Sequence, residues 1–223
     1  MHFQGKALAA HLLSQGERDI DHESYRRMNS EELFQKLEEF DLFIDEKQFL
    51  EYADVSESPE ELTQNLTSSE ELNAELYLLV FEAWRRFCPH RQTISLFADE
   101  LDHTITLYDQ EQLEDEENLQ TLLESLESLL DDSVDQGENP KEAFVAINSY
   151  CTHDLETFLY EYILYQIEVG HLTYASELVD GFTDYVKDER WFEFLRIRLA
   201  SDVETMLSRF LESLQEKPDF AFR

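Results

Sequence analysis

Positive charge is almost missing from the middle of the chain. Between Gln48 and Val186 only Arg85, Arg86, Arg91 and Lys141 are basic, against 32 carboxylates. That stretch holds −28 of the −34 formal charges of the 223 residues. Such a surface repels nucleic-acid phosphates and anionic lipid, which sets the chain against direct nucleic-acid or membrane binding. The natural partner is another protein, with a basic surface or segment. Glycine and proline are also scarce, five and four residues, which argues against a turn-rich all-β fold. Runs of alternating apolar and polar residues are few as well. The two cysteines, Cys88 and Cys151, have no CxxC spacing and build no disulfide framework, so a cytoplasmic location is the simpler expectation. No apolar run approaches the ~20 residues of a membrane helix. The segment Ala7–Leu13 is short and interrupted by His11, a poor signal-peptide core. Gly-rich phosphate loops, a GxSxG elbow and HExxH are all missing, so neither an enzyme nor a cofactor is expected.

Against these absences stands a high apolar content, 42% hydrophobic and 13% aromatic. A chain this charged usually stays unfolded unless apolar burial offsets its self-repulsion. Here the runs Leu76–Phe81 and Phe158–Tyr165 supply that burial, and the expectation is a folded helical protein with a negative exterior. Helix starts are clearly marked. Asn29 to Glu32 reads as a capping box, with Ser30 an equal candidate for the cap; Ser58-Pro59-Glu60-Glu61 has a cap, a first-turn proline and first-turn acids. Ser68-Ser69-Glu70-Glu71 repeats the arrangement without proline. Carboxylates at these places complement the helix dipole, so part of the acid excess is helix chemistry.

From these signals helices are predicted at 5–14, 30–53, 59–66, 69–88, 92–109, 112–131, 140–151, 155–169, 172–187 and 189–216, the last broken near Ala200-Ser201-Asp202. The fold class is all-α, with nine or ten helices in antiparallel pairs. In the segment 112–131, Leu119, Leu122, Leu123, Leu126, Leu129 and Leu130 share one face, and Glu117, Glu124 and Asp131 form an acidic ridge at seven-residue spacing. A solvated helix face has the same pattern. The chain reads as a single domain, 1–223, which the loop 132–139 would divide into a helical bundle, 1–131, and helical hairpins, 140–223. Residues 16–29 are a second candidate connection.

The segment Leu155–Lys187 reads as two amphipathic helices joined at Val169-Gly170-His171-Leu172. With Gly170 at the turn, Leu172 two later, Ala175 at the crossing and Val179 four beyond, it resembles one tetratricopeptide-type unit. Ile163 and Phe182 are bulkier than that pattern. A poorer copy follows in Trp191–Pro218, where Pro218 resembles the proline that ends a unit. The resemblance implies stacked helical hairpins that present a concave surface to a partner protein. The alternative is an irregular helical bundle. The general character is similar to that of small acidic helical-repeat secretion chaperones.

Four constellations bear on chemistry. Asp131–Glu142 places oxygen-bearing side chains at positions one, three, five, nine and twelve of a calcium loop, but position six is Gln136, with Gly137 one place late. Glu100-Leu101-Asp102-His103 is a lone Glu-x-x-His, where a carboxylate-bridged metal pair needs two. Cys88-Pro89-His90 and Cys151-Thr152-His153-Asp154 each put a thiol near an imidazole, although Asp154 more simply caps the helix that begins at Leu155. Arg85-Arg86 and Arg91, beside Trp84, are the only basic island in the central region. None of these is expected to be catalytic or metal-binding.

The C-terminal half is dense in aromatics: Phe158, Tyr160, Tyr162, Tyr165, Tyr174, Phe182, Tyr185, Trp191, Phe192 and Phe194. Most belong in a core. Tyr162, Tyr165, Tyr174, Tyr185 and Trp191 are the candidate partner-binding face, since tyrosine and tryptophan beside a charged rim are typical of interfaces. The expected function is non-enzymatic: an adaptor or chaperone-like protein whose acidic rim steers a basic protein partner to an aromatic groove within 155–210. Two alternatives are a nucleic-acid mimic that occupies a nucleic-acid-binding protein, and a metal-binding helical protein.

Overall fold

The computed structural model describes residues 22–67 and 73–200, together with Met206 and Ser208. Among them there are eleven α-helices and no strand. The predicted helix 5–14, the Ser68–Glu71 start and most of the second repeat-like copy lie outside the described residues. Cα packing divides the chain into two compact units, Met1–Glu100 and Leu101–Arg223. The division falls within a helix, not at the 132–139 loop.

The first unit is arranged around α5 (Ala74–Phe87), which packs on α1 (His22–Arg27), α2 (Ser30–Glu38), α3 (Glu46–Ala53) and α4 (Pro59–Leu66). Every residue of α5 from Leu76 to Trp84 is buried, as expected of a helix that is apolar all round. Phe34, Phe49 and Phe87 of three helices pack ring on ring with centroids 5.5–6.4 Å apart. Buried Glu60 of α4 accepts from the Tyr77 hydroxyl at 2.8 Å, which satisfies both groups.

Two predicted elements differ here. The helix expected over 30–53 is two helices. Asp41 adopts the left-handed region at φ 61°, Leu42 N–H closes back on the Leu37 carbonyl at 3.2 Å, and Asp45 starts α3 in a reciprocal capping box with Gln48. Aspartate is one of the few residues that tolerate that backbone conformation. The 16–29 connection also contains α1, which the buried ring of Tyr25 anchors to the core.

Ile94–Asp109 form α6, and the second unit continues through α7 (Glu117–Asp135), α8 (Pro140–Asn148), α9 (Leu155–Val169), α10 (Leu172–Phe182) and α11 (Glu189–Leu199). Here α7 packs on α8, and α9, α10 and α11 pack on one another. Leu119, Leu123, Leu126 and Leu130 bury the inner face of α7. Gly170, at φ 91°, ends α9; the His171 N–H then reaches the Gln166 carbonyl at 2.9 Å, a left-handed cap that turns the chain directly into α10. Fully buried Ala175 and Val179 lie in the resulting hairpin. α10 stops at Phe182 instead of Lys187, and Ala200 is extended at ψ 150°, the break expected after α11.

Candidate functional site

The acidic ridge runs along α7. The leucine stripe pins one side of this helix inward, so Glu117, Glu124 and Asp131 are exposed on the other, ~10.5 Å apart along the axis at 1.5 Å per residue. Glu127 lies between the last two and is half-buried. Burial first, then the neighbouring charges of Asp131 and Glu124, raise its carboxyl above the ordinary range. A Cβ built on Gly181 of α10 would fall 2.5 Å from Glu127 Oε1, so it is this glycine that lets the carboxylate come so close to α10.

Beneath the ridge lie three of the five aromatics predicted as a binding face. Tyr185 and Tyr162 are buried, at 8% and 1% exposure, and Tyr174 is half-buried. Tyr185, in the turn after α10, donates its hydroxyl hydrogen bond to Asp131 Oδ1. The Tyr162 ring meets Tyr108 of α6 edge-on at 5.4 Å and Tyr174 of α10 at 6.3 Å, and stacks on Phe158 at 5.7 Å. Burial raises the phenols of Tyr162, Tyr174 and Tyr185. Tyr108 is pushed up to about 12 by burial and then by the Glu116 charge. All four stay protonated at neutral pH.

Gln166, one turn beyond Tyr162 and fully buried, turns its carbonyl oxygen to His171 Nδ1 at 2.7 Å. Its Nε2, with the hydroxyls of Tyr162 and Tyr174, makes no hydrogen bond of normal geometry within the protein. The other two predicted aromatics lie apart from this cluster: Trp191 is half-buried, edge-on to Tyr160 at 5.1 Å, and Tyr165 is 45% exposed. The five therefore do not form one exposed face. Two are core residues, and Tyr185 is the one hydrogen-bonded to the acidic ridge.

The basic island is absorbed by the first unit. Arg85 bonds Asp99 and, at 3.2 Å, Glu100, while Arg26 reaches Glu100 at 2.6 Å. Arg86 donates to the Arg26 carbonyl at 3.1 Å. Arg91 donates to the carbonyls of Ala53 and Ser56, lies 4.7 Å over the Trp84 ring, and accepts from the Trp84 Nε1–H at its own carbonyl at 3.1 Å. Lys141 pairs with Glu189 at 2.6 Å in the second unit. Each of the four cations between Gln48 and Val186 is thus engaged within its own unit. Apart from Trp84 beside Arg91 and Glu82 beside Arg85, these partners lie 14 to 60 residues away along the chain, beyond the reach of sequence proximity.

The remaining constellations resolve into structural contacts. Asp131 to Asp135 lie in the last turns of α7, so their oxygens point outward around a helix and do not converge as a calcium loop requires. Among the described residues no three His, Cys, Asp or Glu side chains are grouped to hold a metal ion. Glu100 serves the Arg26–Arg85 cluster. Asp102 accepts from the backbone N–H groups of Thr152 and His153 at 2.6 and 3.0 Å and pairs with His153 Nδ1 at 2.7 Å. The Cys151 thiol faces the Ile147 carbonyl at 3.9 Å, and burial followed by the Asp102 charge pushes its pKa upward, opposite to what a thiolate nucleophile needs. Cys88 is buried and likewise shifted up. Asp154 caps α9. Among the described residues no helix is long and apolar enough to cross a membrane. No protein-family model, no curated protein and no solved structure matches this chain.

Proposed function

We propose that the chain is a non-enzymatic binding protein, of adaptor or chaperone-like type, whose acidic exterior steers a protein with a basic surface. One observation supports this reading: the few cations of the acidic stretch are all engaged within the chain and are too few to oppose most of the exposed carboxylates. Arg85, Arg86 and Arg91 are in partly buried contacts, and Lys141 is in a surface pair with Glu189. Residues 101–200 alone contain 24 carboxylates and five lysines and arginines, a formal charge of −19. Arg190, Arg196 and Arg198 are themselves paired, with Asp188, Asp180 and Glu168. A potential of one sign accelerates encounter with a partner of the other sign and suppresses like-charged competitors. The helical class and the packing of α9 on α10 are compatible with a tetratricopeptide-like hairpin, and the same surface argument holds for an irregular bundle.

A nucleic-acid mimic is the second reading, favoured by the exposed row Glu117, Glu124 and Asp131. Charge density ranks it behind the first. Six carboxylates lie on α7 between Glu117 and Asp135, a length of ~27 Å. That is one charge per ~4.5 Å, against one per ~1.7 Å of duplex DNA.

Selection of peptides on the full chain from a charge-balanced display library tests the proposal. Enriched sequences are expected to carry net positive charge, and their association rates to fall steeply as salt rises. Enrichment of neutral or acidic peptides, or rates indifferent to salt, would overturn it. Displacement of the selected peptides' natural source proteins from DNA would move the function to mimicry.

A further inference from the structure

The outer face of α10 carries a feature that the acidic ridge does not explain. Leu172, Thr173, Ser176, Glu177 and Asp180 fall on one exposed side of this helix, at the i, i+1, i+4, i+5 and i+8 positions of a single helical stripe. Opposite residues Ala175, Leu178, Val179 and Phe182 are buried, which fixes the orientation of the helix. Together with Leu199 at the end of α11, the five outer residues line an open groove of about 400 Å³. Leu172 is 51% exposed at its N-terminal end. The groove thus has leucines at its margins, two hydroxyls along its middle and two carboxylates at one end.

We infer that this groove is a docking site for a short amphipathic basic helix: an apolar anchor beside Leu172 and Leu199, and lysine or arginine side chains three or four residues from it, opposite Glu177 and Asp180. Charge complementarity selects this occupant. Glu177 and Asp180 are one turn apart, so cations at i and i+3 or i+4 of an approaching helix meet both. Glu177 pairs with no cation among the described residues. Asp180 already holds one: Arg196 of α11 approaches it at 3.1 Å, with both side chains largely exposed. An exposed pair contributes only ~0–1 kcal/mol, so an incoming guanidinium can take the place of Arg196 at little cost. The exposed leucine supplies what the α7 ridge lacks, an apolar contact that holds the partner after charge has brought it in. This inference rests on the proposed binding of basic proteins and locates it.

The test uses the full chain and a fluorescent helical peptide with one leucine flanked by lysines at three- and four-residue spacing. Fluorescence anisotropy is measured for the wild type, for Glu177→Gln with Asp180→Asn, for Leu172→Ser, and for Glu117→Gln with Glu124→Gln on α7; circular dichroism and Tm verify the fold of each. The groove variants are expected to raise Kd at least ~10-fold, equivalent to ~1.4 kcal/mol. The α7 variant is expected to change it less than ~2-fold. Equal weakening by the groove and α7 variants would remove the groove and leave the general acidic reading intact. Failure of the wild type to bind the peptide at low salt would remove both. If the wild type is a dimer that Leu172→Ser makes monomeric, and the peptide does not compete, a second copy is the occupant and the inference is wrong.

Discussion

The hydroxyl of Tyr185 donates a hydrogen bond to the carboxylate of Asp131, 54 residues earlier in the chain. This contact joins the turn after α10 to the last turns of α7, and one member of the acidic ridge to one member of the aromatic set.

Tyr185→Phe keeps the ring and removes only this bond. A hydrogen bond to a charged acceptor is worth ~1.5–3 kcal/mol, and the exposure of Asp131 brings the expected loss to ~1 kcal/mol. Urea unfolding at pH 7 measures it. A loss below ~0.3 kcal/mol would mean that the bond makes no net contribution.

Tyr162→Phe has the opposite expectation although Tyr162 is the more deeply buried. Its hydroxyl faces Tyr174 and Gln120 without a hydrogen bond of normal geometry, so its removal deletes a poorly satisfied, desolvated donor. Stability should change by less than ~0.5 kcal/mol or rise. Destabilisation of ~2 kcal/mol would place a strong partner, such as a bound water, on that hydroxyl.

Arg91 is a clamp within the first unit. Its guanidinium fork reaches two backbone carbonyls and covers Trp84, so Arg91→Ala should cost ~2–3 kcal/mol through orphaned carbonyls and lost stacking. Arg91→Lys should recover less than half, because an ammonium cannot span both carbonyls or stack on the ring. Denaturant midpoints of the two variants decide it.

Glu127 supplies a pH prediction with a definite sign. Its folded pKa lies above the ordinary 4.5, so the folded chain binds this proton more readily than the unfolded chain. The group therefore favours folding at low pH, and that contribution is lost as pH rises through the folded value. Glu127→Gln should raise Tm at pH 7 by ~1–2 °C, and the gain should shrink to nothing as pH falls below about 4.5. A gain independent of pH would trace to packing against Gly181 instead of charge.

Self-repulsion among 51 carboxylates should make the protein more stable in salt. The Debye length falls from ~30 Å at ~0.01 M to ~3 Å at ~1 M, which screens the long-range repulsion. The internal ion pairs also weaken, but exposed pairs contribute ~0–1 kcal/mol each. A rise in Tm of several degrees with sodium chloride is expected, read by differential scanning calorimetry. A fall would show that paired charge outweighs unpaired.

Much of this was written locally. The all-helical class, the caps at Asn29, Ser58 and Asp154, the leucine stripe of α7 and the turn at Gly170 follow from contacts a few residues apart, which residue type and spacing specify. The outward row of Glu117, Glu124 and Asp131 follows in the same way, since a helix that buries one stripe must expose the other. Long-range partners are a different kind of information. Nothing near Arg85, Arg86 or Arg91 announces Asp99, the Arg26 carbonyl or Ala53 as their partners. Nothing near Tyr162 says that it is buried while Tyr165, three residues later, is exposed. A tyrosine satisfies a core and an interface equally well, and only the packing of α7, α9 and α10 around each ring selects between them. The deficit of cations is a property of the composition. That Arg85, Arg86 and Arg91 are taken up in partly buried contacts, leaving most of the outer carboxylates unopposed, is a property of the fold.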